Sequence, residues 1–316
     1  MDANIAQILE ERTLLSARMD SLVYGSPEIR EANGKRYLYA HFREEGVLRT
    51  RYVGMYSPEL LNVILENGKQ AKTFKKRLRE IQKELDQIGY REEDLDPRVA
   101  MNIDLARRNL VDSIFKQARL EGVATTYSDT ETLVQGGKVN NLTAEEVSKV
   151  VNLKHAWDFV LNRDVLQCPS NYPLLLQINR IVEEGFRYTA GKIRSVPVSI
   201  GGSTYLPPLP QESLVQEELR EITSHGNPVL DTALDAMLYV MKRQIFLDGN
   251  KRTAVLFANH ILIRHGIGLL VVPEEHIAEF KKRLIRFYET DEKEEIKSFL
   301  AEKCCTIIQD NPVTSR

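Results

Sequence analysis

Apolar residues along this chain recur mostly at helical spacing. Met101 to Leu120, Tyr172 to Phe186, Leu230 to Arg243 and Thr253 to Ile263 carry apolar side chains three or four residues apart, which predicts amphipathic or buried helices. Two further helices are predicted between residues 273 and 308. The chain is therefore expected to belong to the mainly α class.

Two boundary signals refine this helical pattern. Gly122 follows Met101 to Leu120 and is predicted to end that helix in the left-handed conformation that glycine adopts at low cost. Thr143 and Glu146 have the spacing of a capping box, which predicts the start of another helix.

Two segments alternate instead of following the helical period. Tyr37 to Phe42 and Val47 to Val53 predict one β-hairpin. Residues 192–206 alternate across Gly201 and Gly202 and continue into Pro207 and Pro208, which predicts a second, small and exposed hairpin.

The first hairpin lies in a separate N-terminal module of residues 1–95. A helix is predicted from Asn4 to Met19, and another begins at Pro58, so this module has a helix–hairpin–helix order of α+β type. The turn-rich stretch Arg91 to Pro97 is the predicted joint, and residues 96–316 form the second domain.

The helix after the first hairpin carries a basic run of six residues: Lys69, Lys72, Lys75, Lys76, Arg77 and Arg79. Interleaved Glu80 and Glu84 favour a solvated helix face. The alternative is a contact with nucleic acid or another acidic partner.

Composition excludes several classes of protein. The 316 residues have a formal net charge of −2, so there is no global attraction to nucleic acid or anionic membranes. No apolar stretch reaches the roughly 18 residues of a membrane span. The three cysteines are too few for a disulfide framework and lack metal-ligand spacing, which predicts reduced thiols in a cytoplasmic protein without a signal peptide.

The strongest chemical signal is the short polar loop between the helices at Leu230 to Arg243 and Thr253 to Ile263. Its sequence from Gln244 to Thr253 is Gln-Ile-Phe-Leu-Asp-Gly-Asn-Lys-Arg-Thr. Glycine and asparagine suit a tight turn. The following helix begins beside Lys251 and Arg252, and its N–H groups and dipole favour anions. This arrangement predicts a phosphate or nucleotide site.

These residues resemble the signature of the Fic/Doc (Fido) family, which reads His-x-Phe-x-Asp/Glu-Gly-Asn-Gly/Lys-Arg-x-x-Arg between two helices. Six positions match in order and spacing: Phe246, Asp248, Gly249, Asn250, Lys251 and Arg252. The resemblance extends over about residues 97–305 and implies a helical Fic/Fido domain whose β-hairpin flap precedes the loop. Residues 192–206 are the predicted flap.

The resemblance implies a site that binds ATP and Mg²⁺. Gly249, Asn250, Lys251 and Arg252 are expected to hold phosphates, and Asp248 offers the oxygen ligand that Mg²⁺ prefers. For Asp248 the alternative is an N-cap of the next helix, and Phe246 is predicted to anchor the loop in the core. The flap residues Ile200, Gly201, Gly202 and Tyr205 are expected to meet the target.

Two departures from the signature bear on activity. Gln244 stands where the family has its catalytic histidine, and an amide cannot take up a proton near neutral pH. General-base catalysis contributes about 10²–10⁴-fold, so transfer is expected to be slow by that factor. Val255 replaces the second arginine and cannot hold a γ-phosphate.

Residues 113–122 resemble the inhibitory helix of the family. Glu121 and Gly122 fit its Ser/Thr-x-x-x-Glu-Gly/Asn motif, but Gln117 replaces the Ser/Thr. Because Val255 cannot pair with Glu121, the usual autoinhibition is not expected. Arg252 is the remaining candidate partner for that carboxylate.

The resulting prediction is an AMP-transferring, nucleotidyltransferase-like protein (an AMPylation enzyme) with weakened or altered activity toward a hydroxyl on a protein target. One alternative is a pseudoenzyme that acts as a binding or scaffold protein. The other is a Doc-like protein kinase, to which Lys251 points weakly. The target is not defined by the sequence, and a homodimer is compatible with it.

Overall fold

The chain forms two compact units, Met1–Glu93 and Asp94–Arg316, close to the boundary predicted at residue 95. The computed structural model describes residues 8–9, 11–13, 15–16, 18–19, 22–32, 34–44, 47–90, 95–186, 189–224 and 226–308. Among these residues, no helix is long and apolar enough to cross a membrane.

The first unit combines helices with a three-stranded antiparallel sheet. Its described residues between 8 and 19 are helical. Strands β1 (Ser26–Ala32), β2 (Lys35–Glu44) and β3 (Val47–Met55) pair in chain order, and α1 (Pro58–Gln87) follows. The predicted hairpin is β2–β3 and is confirmed. The sequence analysis missed β1, which lies at an edge of the sheet and carries the charged residues typical of edge strands.

The second unit is mainly helical, as predicted. Its α-helices are α2 (Pro97–Arg108), α3 (Leu110–Leu120), α4 (Tyr127–Val134), α5 (Ala144–Val160), α6 (Arg163–Gln167), α7 (Tyr172–Val182), α8 (Glu212–Ser224), α9 (Val229–Arg243), α10 (Asn250–Arg264), α11 (Ile277–Thr290) and α12 (Glu294–Lys303). A 3₁₀ turn covers Glu274–His276, and β4 (Gly268–Leu270) pairs with β5 (Cys305–Ile307) in a small sheet that the sequence did not predict.

Helix α10 lies at the centre of this unit. Every residue from Arg252 to Ile263 is buried, so the helix is enclosed on all sides. It contacts α2, α5, α6, α7, α9 and β4. Asn259 fixes its far half to β4, because its amide accepts from Leu270 N at 2.8 Å and donates to Leu270 O at 2.7 Å.

The boundary predictions fare differently. The capping box is confirmed, with Glu146 N donating to Thr143 Oγ1 at 3.2 Å and Thr143 N donating to Glu146 Oε2 at 2.9 Å. Gly122 has the predicted positive φ of 80°. The single helix predicted from Met101 to Leu120 is wrong, because Asn109 separates α2 from α3. Its side chain donates to Leu105 O at 2.8 Å and competes with the helical pattern.

The hairpin predicted at residues 192–206 is also wrong in its secondary structure. The segment contains the expected turn, with Ser203 N donating to Ile200 O at 3.2 Å, but no strand pairing. Arg194 is the reason, since its buried guanidinium takes the carbonyls of Val196, Pro207 and Pro208. The prolines lack the N–H that a strand would donate.

Buried His260 makes the stability of this unit depend on pH. Its Nε2 donates to Val165 O at 2.9 Å, which leaves Nδ1 to accept from Ser170 Oγ at 2.8 Å. Burial lowers the pKa of His260 from 6.5 to about 4, so the folded protein keeps the neutral ring. The free energy of unfolding should fall as the pH drops from 6.5 towards 4, by roughly 3 kcal/mol, because only the unfolded chain takes up the proton.

Urea titrations across this pH range measure that slope. His260→Gln removes the titrating ring and should flatten the slope, whereas His155→Gln, at an exposed position, should keep it. Equal slopes in the wild type and His260→Gln would contradict the assignment.

Candidate functional site

The polar loop of the second unit joins α9 to α10 through two left-handed residues. Gln244 ends α9 with φ 46° and ψ 58°, and Gly249 precedes α10 with φ 75°. Phe246 is 1% exposed and anchors the loop in the core, as predicted. The predicted helix–loop–helix frame is therefore confirmed.

Asn250 closes this loop from the inside. Its Oδ1 accepts from Phe246 N at 2.9 Å, and its Nδ2 donates to Phe246 O at 2.8 Å and to Gln244 Oε1 at 3.1 Å. The residue is 5% exposed. Because these bonds use the whole amide, the side chain of Asn250 shapes the loop, and only its backbone N–H is left for the predicted contact with phosphate.

Gln244 is held as firmly as Asn250. Its Nε2 donates to Met241 O at 2.7 Å, its Oε1 accepts from Asn250, and its backbone oxygen accepts from Arg194 Nε at 2.6 Å. The side chain thus caps the end of α9 in a backbone conformation that glutamine seldom adopts. It carries no group that can remove a proton from a hydroxyl.

Arg252 lies in a buried ion pair with Glu183. Its Nη2 donates to Glu183 Oε1 at 2.7 Å, and the two side chains are 2% and 3% exposed. The sequence predicted Arg252 as a phosphate ligand, but its guanidinium points to α7 instead. Glu183 was missed, and its one sequence signal is an acidic residue directly after the apolar helix α7.

Gly249 makes room for this ion pair. A Cβ at position 249 would lie 2.7 Å from Glu183 Oε1 and 3.1 Å from Asn179 Nδ2, in addition to the strain of a positive φ. Asn179, also missed by the sequence analysis, is 1% exposed and donates to Asp248 O and Thr253 Oγ1, both at 3.1 Å. The glycine is therefore required by space as well as by backbone conformation.

Asp248 carries the one carboxylate of the loop sequence, and 49% of its side chain is exposed. Its Oδ1 accepts from Gly249 N at 2.7 Å and lies 3.7 Å from Arg252 Nη2. The N-cap of α10 is Gly249 and no side chain caps that helix, so the N-cap alternative for Asp248 is wrong. The described residues include no group of three His, Cys, Asp or Glu side chains placed to hold a metal.

Lys251 is the cation that remains partly exposed beside this helix end. Its Nζ lies 3.5 Å from Glu121 Oε1, which accepts no hydrogen bond from the described residues. Glu121 therefore has Lys251 as its charged neighbour, whereas Arg252, the remaining candidate in the sequence, pairs with Glu183.

Gln117 ties the inhibitory-like segment to the loop. It donates from Nε2 to Arg252 O at 2.9 Å and accepts from Trp157 Nε1 at 3.1 Å. Glu121 and Gly122 at the end of α3 are thereby held close to the start of α10.

Val255 faces the core. It is 2% exposed within the enclosed helix α10, and its carbonyl accepts from Asn259 Nδ2 at 2.9 Å. An arginine at this position would have to leave the core to reach a ligand. The valine that replaces the second arginine of the family signature therefore suits the packing around α10.

The flap is fastened at its tip to α11. Ser203 Oγ donates to Glu289 Oε1 at 3.2 Å, and Thr204 donates to the same oxygen from its backbone at 2.8 Å. The Tyr205 ring stacks on Tyr288 with centroids 6.4 Å apart. Predicted residues Ile200, Gly201, Gly202 and Tyr205 therefore form a tethered turn.

Two cavities lie on the second unit. One of about 570 Å³ is bounded by the flap residue Tyr205 and by Lys242, Arg243 and Phe287. The other, of about 680 Å³, lies at the C-terminal end of α10 and is lined by Ile261, Arg264 and His265. Only the first lies beside the flap and the end of α9.

The buried ion pair gives a prediction for stability. Glu183→Gln should lower the free energy of unfolding by about 3–5 kcal/mol, because Arg252 keeps its charge but loses its partner in the interior. Chemical denaturation measures the change. Glu184→Gln, the exposed neighbour, should change stability by no more than about 0.5 kcal/mol.

Replacement of both partners tests the cause. The double variant Glu183→Leu with Arg252→Met removes both charges and should recover most of the loss. A stable Glu183→Gln single variant would contradict the pairing.

Comparison with known proteins agrees with this geometry. Residues 169–262, which span α7 to α10 and contain the loop, match the family model "Fic/DOC family". Residues 5–62 match a domain of unknown function (DUF6788). No curated protein matches the sequence closely enough to count as a relative.

Solved structures share the fold at low identity. Fic-1 (residues 134–508) from C. elegans is 20% identical, with a TM-score of 0.51 over 77% of this chain and 72% of that one. A Fic family protein from Desulfovibrio desulfuricans G20 is 15% identical, with a TM-score of 0.51 over 66% and 72%. The second unit of this chain contains a domain of the Fic/DOC family.

Proposed function

We propose that this Fic domain binds the phosphate groups of ATP at the 244–252 loop and transfers AMP, at a reduced rate, to a hydroxyl on a protein. The bond between the α- and β-phosphates breaks, and pyrophosphate leaves. The observation that carries the proposal is the start of α10, which has no side-chain cap and has Lys251 beside it. Uncapped N–H groups at a helix N-terminus attract anions, and the adjacent lysine adds charge.

The donor set fits Mg²⁺ and ATP. Proteins of the Fic family generally use both. Mg²⁺ usually keeps several waters and takes one or two carboxylates together with phosphate oxygens, so the half-exposed Asp248 suffices as the protein ligand. When bound, the ion would neutralise charge on phosphate oxygens. Asp248 is the residue that would hold it, and the N–H groups of α10 would orient the phosphates.

The reduced rate follows from Gln244. Its amide is engaged with Met241 and Asn250, and it can orient a hydroxyl but cannot accept its proton. The target hydroxyl would therefore lose its proton to water, without the roughly 10²–10⁴-fold help of a general base.

The flap offers an apolar surface to a protein target. Val196, Leu206 and Leu209 are 47%, 73% and 54% exposed, and they flank the tethered turn of Gly201 and Gly202. Exposed apolar side chains on a segment that precedes the loop support docking of an extended protein chain there.

A second candidate is a binding protein without turnover. The internal bonds of Gln244 and the buried ion pair of Arg252 favour it, since both side chains serve the fold. The Doc-like kinase remains the other alternative, and the experiment with labelled ATP described below distinguishes it from AMP transfer.

Lys251 should contribute directly to nucleotide affinity. Lys251→Ala is expected to weaken ATP binding in the presence of Mg²⁺ by about 1–3 kcal/mol, the range for loss of a charged hydrogen bond. Isothermal titration calorimetry measures the change. Lys303→Ala, on the exposed side of α12, is the matched control and should bind as the wild type does. Equal affinity in both variants would overturn the phosphate site.

A histidine at position 244 should restore the missing base. Gln244→His is expected to raise AMP transfer by up to about 10²–10⁴-fold, and histidine tolerates the left-handed conformation of that position. Labelled ATP measures the transfer: label from the α-phosphate on protein means AMP transfer, and label from the γ-phosphate means kinase activity.

Gln244→Asn is the control, because it changes the side chain without supplying a base. A Gln244→His variant that binds ATP yet modifies no protein would favour the binding protein. Equal gains in both variants would show that basicity is not what the site lacks.

A further inference from the structure

The sheet of the first unit has one buried and one open face. On β2, Leu38 and Ala40 are fully buried, whereas Tyr37 and Tyr39 alternate with them and point to the opposite side. The pairing register places Tyr52 of β3 opposite Tyr39. Three tyrosines therefore share the open face.

These rings form a contiguous aromatic surface. The Tyr39 and Tyr52 centroids are 5.5 Å apart, and those of Tyr37 and Tyr52 are 6.2 Å apart. Tyr52 is 48% exposed, and Met55 and Leu48 on the same face of β3 are 60% and 64% exposed. This much exposed ring and aliphatic surface is unusual for a solvated sheet and indicates a binding face.

Cations accompany the rings. The Arg30 guanidinium lies 4.6 Å from the Tyr39 ring centroid, and its register partner is Tyr37. It donates to Glu28 Oε2 at 2.8 and 3.0 Å, a contact that a phosphate oxygen would replace. The sheet and α1 are also locally basic: residues 22–83 contain 13 lysines and arginines against seven acidic residues, although the whole chain carries −2. A unit of net positive charge with exposed rings and an arginine stacked on one of them matches a polyanion whose repeating unit has a flat face.

We propose that the open face of this sheet, formed by Tyr37, Tyr39, Tyr52 and Arg30, binds single-stranded nucleic acid. Unpaired bases stack on the tyrosine rings, and Arg30 contacts the phosphates. A single strand is favoured over a duplex because the Tyr37 and Tyr39 rings are tilted by 55° and 60° against Tyr52, so that only bases unstacked from one another can contact them. If the basic helix α1 alone bound the nucleic acid, the affinity would not depend on the tyrosines.

Fluorescence anisotropy with the full chain tests the proposal. The probes are labelled oligothymidylate and oligouridylate of about 16 nucleotides and a duplex of the same length. Tyr52→Ala should weaken single-strand binding by roughly 5- to 150-fold, the loss expected for one stacked base. Tyr52→Phe keeps the ring and should bind as the wild type does.

Tyr127 provides the matched control. It is also 48% exposed but lies in the second unit, so Tyr127→Ala should leave affinity unchanged. Thermal melting of each variant checks that it is folded. The DNA and RNA probes decide which single strand is preferred.

The salt dependence gives a second readout. Affinity should fall steeply between about 50 mM and about 200 mM salt, and Arg30→Gln should lower the slope by about 0.7 if its phosphate contact is lost. The proposal is overturned if the chain binds no single strand, if Tyr52→Ala and Tyr127→Ala bind alike, or if the duplex binds more tightly and independently of Tyr52.

Discussion

The buried ion pair between Arg252 and Glu183 is the interaction on which the functional loop depends. It joins the first turn of α10 to the end of α7 in the interior, where a charge without its partner is strongly destabilising. Gly249 is there because a side chain would collide with Glu183, and Asn179 completes the contact by bonding to both sides of the loop. The position of the loop is thus decided from inside the domain.

This arrangement separates the residues that shape the loop from those that face a ligand. Asn250 and Gln244 bond to each other, and Gln244 also bonds to the backbone. Arg252 pairs with Glu183. Lys251 and the carboxylate of Asp248 remain partly exposed, and no side chain caps the start of α10. Phosphate recognition by backbone dipoles does not require a particular side chain, so the proposed phosphate site is compatible with two departures from the family signature.

The sequence defined the fold class and the frame of the site because both rest on local patterns. The capping box at Thr143 and the glycine at position 249 act within a few residues of chain, and both are found where the pattern predicts them. Helical periodicity gave the mainly α class, although it missed the break at Asn109. The spacing of Phe246, Asp248 and Arg252 likewise identified the Fic domain, since a signature loop is a contiguous segment.

Only the tertiary structure decided which groups remain free for chemistry. The direction of Arg252 depends on Glu183, a residue 69 positions away, and the partner of Glu121 depends on how α3 lies against α10. The flap forms no strands, because the buried Arg194 donates to the carbonyls of Val196 and Pro208. In each case a long-range contact competes with a local preference, and burial of a charge outweighs the small energies on which sequence patterns depend.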